Sequence, residues 1–211
     1  MSVPSQVSCY LLIVTTSSES TSLPLRERKR LRAMKRVQRE AVARFAERGF
    51  AAVTIEEIAD AAEVSPMSVY RWFGTKEALV IWDEFDPPIL AAVADRLPRG
   101  GPLTAVRDAV VGLLGDVYDR ERGLSLQRVQ LIYSEPALMA AADRNARMLR
   151  SALVKLFVDR AGMAERDANV AAAVAGTLLE VAIDAWQRDD GRRPLADLLT
   201  ETFVAHEELA P

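Results

Sequence analysis

The sequence predicts an all-α protein, and three observations carry that prediction. Apolar residues recur every three or four positions over long stretches, the spacing of a helix face rather than the alternation of a strand. Glycine and proline number only 10 each in 211 residues and fall where the helical runs are punctuated. Half the residues are hydrophobic, enough to bury a sizeable core and to exclude wholesale disorder.

Residues 1–24 hold ten Ser or Thr and no Lys or Arg, with no helical stripe, and read as a disordered tail. Tyr10 to Val14 is too short to span a bilayer, and no Lys or Arg precedes Arg26 to form a signal-peptide n-region. No other stretch reads as a membrane span, and no membrane partner is expected.

The first helix is predicted from Arg26 to Arg48. Leu31, Met34, Val37, Ala41 and Phe45 line one face, while Arg28, Lys29, Arg30, Arg32, Lys35, Arg36 and Arg39 crowd its N-terminal half. Gly49 should end it in the left-handed conformation. Thr54 should cap the second helix, with Glu57 completing a capping box and Ile55, Ile58, Ala59 and Ala62 facing inward. Ser65 should cap the third, with Pro66 in its first turn, where a missing N–H costs nothing. Val69 and Phe73 then face the core and Met67, Ser68, Arg71 and Trp72 point elsewhere.

Thr75 should cap a fourth helix that Pro87 and Pro88 kink or split before Ile89 to Leu97 resumes it. After the break at 98–102, helices are expected at about 103–119, 124–133, 136–161, 166–188 and 194–208. Gly123, the Glu135-Pro136 step, Gly162 and Gly191 separate them.

Thr54 to Phe73 thus reads as two short helices joined by a tight turn, the arrangement that presents a second helix to the DNA major groove. Net charge is -3, which alone argues against nucleic acid. Its distribution reverses that: residues 24–76 hold 12 Lys/Arg against 7 Asp/Glu, leaving 15 against 23 elsewhere. A basic module on an acidic body is the footprint of a part that meets phosphate. One cysteine, Cys9, excludes an intrachain disulfide framework and suits a reducing cytoplasm. With a single distant histidine, His206, neither a zinc site nor a Cys-His nucleophile pair is supported. No cofactor is implied.

The run Thr54-Ile55-Glu56-Glu57-Ile58-Ala59, then Val64-Ser65, Val69-Tyr70-Arg71-Trp72-Phe73 and Lys76-Glu77-Ala78-Leu79 resembles the TetR family of bacterial transcriptional regulators. Leu131 to Leu138, the Arg160-Ala161-Gly162 step and Ala185-Trp186 before Gly191 are similar to the C-terminal domain of mycofactocin-type members. The resemblance implies a helix-turn-helix DNA-binding domain over 25–75 and a helical ligand-binding and dimerisation domain over 76–211. It implies a homodimer on a near-palindromic double-stranded DNA operator, released by a small ligand. Two positions depart from the pattern. Glu63 stands where the turn usually has glycine, costing on the order of 1 kcal/mol if φ is positive. Met67-Ser68 replaces the common Gly-Thr, so base preference cannot be transferred.

Within this frame Thr54 is a cap and a candidate phosphate contact. By resemblance Tyr70, Trp72 and Lys76 are candidate backbone contacts, although Tyr70 also reads as a half-buried core ring. Ser65, Pro66, Met67, Ser68 and Arg71 are candidate base readers. Arg71 suits bidentate pairing with guanine, a backbone contact being the alternative, and Met67 suits apolar contact with a thymine methyl.

Candidate cavity-lining residues are Trp82, Phe85, Leu114, Tyr118, Leu126, Val129, Tyr133, Met139, Met148 and Phe157, although most aromatic and Met residues at helical spacing are simply core. Their Met and aromatic content favours a small apolar effector, and the mycofactocin-type likeness points to an acyl-CoA-like one. Asn169 to Trp186 and Leu195 to Val204 are candidates for a dimer interface of two helices per subunit. An enzyme is not supported: Asp116/Asp119 and Glu207/Glu208 lack a ligand set or a nucleophile-base pair. The alternative carried forward is a helical interaction protein that has lost sequence-specific DNA binding.

Overall fold

The computed structural model describes residues 24–209, apart from the side chains of 114–120. The expectation for the tail over 1–23 therefore lies outside the described residues. Among the described residues every regular element is helical: α1 Leu25–Arg48, α2 Ile55–Ala61, α3 Pro66–Phe73, α4 Ala78–Ile81, α5 Asp86–Arg96, a 3-10 turn Leu97–Arg99, α6 Pro102–Arg120, α7 Arg122–Ser134, α8 Pro136–Ala161, α9 Glu165–Arg188 and α10 Leu195–Leu209.

The described residues form two compact units. One comprises 24–82 and 121–145, the other 83–120 and 146–209. In the first, the predicted face of α1 is buried at Met34, Val37, Ala41 and Phe45 and packs on Ile55, Ile58 and Ala59 of α2 and Val69 and Phe73 of α3. Leu79 and Val80 of α4, Leu131 of α7 and Leu138 of α8 complete that core. In the second, α6 packs against α5, α9 and α10. Its buried residues include Val106, Ala109, Phe157, Ala172, Trp186, Leu199 and Phe203.

Two local expectations are corrected. Gly49 does terminate α1, its N–H donating to the Phe45 carbonyl at 2.9 Å, but φ 87° with ψ 148° is not the left-handed helical conformation. That pairing lies near a region open essentially to glycine alone. Pro87 and Pro88 neither kink nor split a helix; they occupy the first turn of α5, where a proline forfeits no intrahelical bond. The break falls earlier, where Trp82 turns extended at ψ 129° and ends α4, and the Phe85 N–H bonds Asp83 Oδ1 at 2.9 Å. The helix α9 is long and apolar enough to cross a membrane by length and composition. Ala168, Ala172, Ala175, Ala182 and Trp186 are buried at helical spacing, however, so α9 packs as a core helix with one covered face.

Candidate nucleic-acid interface

Local hydrogen bonding builds the α2–turn–α3 unit. Thr54 Oγ1 accepts the Glu57 N–H at 3.2 Å while the Thr54 N–H donates to Glu57 Oε2 at 2.8 Å, closing the capping box. With Arg48 at 2.9 Å, these bonds hold the Glu57 carboxyl below its ordinary value, the backbone bond from Thr54 contributing most. The turn is a Schellman motif. The Val64 N–H reaches the Ala59 carbonyl at 2.9 Å and the Glu63 N–H reaches that of Asp60 at 3.0 Å. Glu63 sits at φ 53°, so this departure from glycine carries the expected strain.

One contact there has no signature in the local sequence. Arg36, read as part of the basic end of the first helix, turns its Nε to the Ala62 carbonyl at 2.7 Å. It pins the C-terminus of α2 to α1 across 26 residues of chain. Gln38 acts similarly at the end of α4, its Nε2 donating to the Trp82 carbonyl at 2.6 Å. Neither was separable from neighbouring polar residues, because the partner is a distant backbone oxygen that only the fold brings near.

The third helix divides cleanly. Val69 and Phe73 are buried. Met67 is 72% exposed and Tyr70 45%; Pro66 and Arg71 are exposed as well. Ser65 Oγ accepts the Ser68 N–H at 3.2 Å and lies 2.9 Å from Ser68 Oγ, so both hydroxyls serve the cap first. The Tyr70 hydroxyl donates to Glu56 Oε1 at 3.3 Å, and desolvation, then the Glu56 charge, pushes its pKa up. Trp72, expected to point away from the core, is instead half-buried against it, where its large apolar ring is covered.

Lys76 is part-buried rather than directed freely outward. Its ammonium donates to the Phe50 carbonyl and lies 4.6 Å from the Phe50 ring centroid and 5.2 Å from that of Phe45. Burial pushes its pKa down against the opposing pull of Glu77, Glu135 and Glu57. On α1, Arg30 pairs with Glu27 at 2.5 Å and Arg39 with Glu121 at 2.7 Å. Arg28, Lys29 and Arg32 are exposed without an ion-pair partner among the described residues.

The cavity candidates are distributed unevenly. Trp82, Leu126, Val129 and Tyr133 belong to the unit of 24–82 and 121–145, while Phe85, Met148 and Phe157 belong to the other. Trp82 packs edge-on against Phe73 at 5.8 Å, so its ring closes the core beneath α3. Val129 and Phe157 are buried, whereas Met139 and Met148 are exposed, Met148 by 55%. The side chains of Leu114 and Tyr118, with Asp116 and Asp119, lie outside the described residues. Among the described residues no group of three or more His, Cys, Asp or Glu is placed to hold a metal.

Comparison with known proteins gives consistent matches over both parts of the chain. Residues 39–81 match "Bacterial regulatory proteins, tetR family", and residues 101–209 match "MftR C-terminal domain". The HTH-type transcriptional regulator TcmR of Streptomyces glaucescens is 31% identical over 156 residues, covering 71% of this chain and 69% of TcmR. Two solved structures share the fold. NalD, the secondary repressor of the MexAB-OprM multidrug efflux pump in Pseudomonas aeruginosa, aligns at TM-score 0.54 and 19% identity, over 83% of this chain and 95% of NalD. FadR from Bacillus subtilis in complex with stearoyl-CoA aligns at TM-score 0.51 and 16% identity, over 80% of this chain and 95% of FadR.

Proposed function

Because the chain belongs to the TetR family of bacterial regulatory proteins, it is a DNA-binding transcription regulator rather than an enzyme, and we propose that it is a homodimeric cytoplasmic repressor released from a palindromic operator by a small apolar effector. The observation that carries this reading is the division of α3. Val69 and Phe73 hold the fold, while Met67, Tyr70 and Arg71 are exposed along the remaining face.

In this reading residues 25–75 meet DNA and residues 76–211 bind the effector and dimerise. Met67 and Arg71, four apart on one helix face, read bases; Tyr70 and the N-terminal arginines of α1 meet phosphates. Thr54, Ser65, Pro66, Ser68 and Trp72 frame that surface. Lys76 holds the segment after α1 beside it and keeps donors to spare, an ammonium having three. On α9, Val170, Val174, Thr177 and Val181 follow i, i+4, i+7, i+11, and Val170 and Val181 are 59% and 52% exposed. With exposed Val204 on α10 they supply the dimer face. The effector is acyl-CoA-like, a class supported by the MftR-type domain and by a FadR of the same fold that carries stearoyl-CoA.

Selection of duplexes from a random pool by the full-length protein tests this. Enrichment of a near-palindromic sequence, lost on adding long-chain acyl-CoA, is expected. No preference over random DNA at moderate salt overturns the reading. Tyr70→Phe combined with Arg71→Ala should abolish the preference while the dimer persists in sedimentation.

A further inference from the structure

Two adjacent glutamates at the start of α2 have opposite surroundings. Glu57 is compensated by Arg48 at 2.9 Å and by the capping bonds from Thr54. Glu56 is exposed and has no Lys or Arg partner among the described residues. Its contact is the Tyr70 hydroxyl, 3.3 Å from Oε1. Glu56 also begins an exposed acidic line with Asp60 and Glu63, at i+4 and i+7, neither of which pairs with a cation among the described residues.

We propose that Glu56 is a negative determinant of DNA affinity, a carboxylate beside the phosphate-facing hydroxyl of Tyr70 that holds binding to every sequence below what this face would otherwise reach. The inference rests on Tyr70 belonging to the DNA-facing surface. A phenol has one proton to donate, and here it is given to Glu56 rather than left for a phosphate. A phosphate that took it over would stand within several ångströms of an uncompensated like charge. Because phosphates carry no sequence information, the penalty falls equally on operator and random DNA. It lowers affinity without changing the preference, so an effector needs a smaller coupling to release the operator.

Binding of the selected duplex and of a scrambled duplex of equal length, measured across a salt series with the full-length dimer, tests the proposal. Glu56→Gln keeps the shape and removes the charge. It should bind both duplexes about fivefold tighter at about 50 mM salt, and the gain should shrink toward about 300 mM as the repulsion is screened. Glu56→Ala should move in the same direction. The gain should be smaller in a Tyr70→Phe background, where no hydroxyl remains to be released. If Tyr70→Phe weakens binding but neither Glu56 variant tightens it, the proposal fails and the DNA-facing surface stands. If none of these variants changes binding, both fail together.

Discussion

Glu63 illustrates how a single side chain can be wrong for its backbone and still be tolerated. At φ 53° it occupies the left-handed position of a Schellman turn whose two hydrogen bonds are both formed. Glu63→Gly should therefore raise stability by up to about 1 kcal/mol, read as a higher midpoint in urea unfolding. Thr54 gives the opposite case. Thr54→Ala should cost about 1 kcal/mol at neutral pH by opening the capping box. Glu57 is lowered from 4.5 in the folded state, so its part of that stabilisation is complete above about pH 4.5 and is lost as pH falls through the folded value. Thr54→Ala keeps the backbone N–H that contributes most to that lowering, so it is the deficit of Glu57→Ala that should narrow between pH 7 and pH 3, and urea midpoints at the two pH values check it. Both residues were legible in the sequence because a cap and a turn are local patterns. Arg36, Gln38 and Lys76 were not, since each is spent on a backbone carbonyl supplied by a remote stretch of chain.

At the level of elements, periodicity located the helices well because each buries one stripe. The buried positions on α1, α2 and α3 repeat the spacing read from sequence. The region between α4 and α5 was misread for a physical reason: a proline pair is compatible with either a kinked interior or a first turn. Local pattern alone does not distinguish them. Stability does. Removing a proline from a helix interior should gain up to about 3 kcal/mol, whereas in a first turn it forfeits only the stiffness of the unfolded chain, about 0.4–1 kcal/mol. Pro87→Ala and Pro88→Ala should each lower the thermal midpoint slightly, and a gain would contradict their assignment to the start of α5. The exposed face of α3 was legible in part: once Val69 and Phe73 are assigned inward, Met67 and Arg71 follow as exposed, whereas the bulk of the Trp72 ring draws it back against the core. The cavity candidates were not separable from core or surface, because methionines and aromatics at helical spacing look alike whether they face a ligand, a core or solvent, and Phe157 and Met148 realise the last two of these outcomes.

For the whole molecule, the exposed valines of α9 set an expectation about assembly. Val170→Glu with Val181→Glu should convert the dimer to monomer in sedimentation without lowering the helix content, and should weaken operator binding because a monomer engages one half-site. A stable dimer in that variant would move the interface elsewhere. Association with DNA should also weaken with salt at a log-log slope near -0.9 per neutralised phosphate, set by cations such as Arg28, Lys29 and Arg32. A further consequence concerns α8, which is continuous from Pro136 to Ala161 although residues up to 145 belong to one compact unit and those from 146 to the other. If one unit melted alone, this helix would have to end in mid-run and leave new uncapped amides and carbonyls at the break. Independent melting is thereby penalised, and calorimetry on heating should record one cooperative peak for the two units, with its van't Hoff and calorimetric enthalpies in agreement.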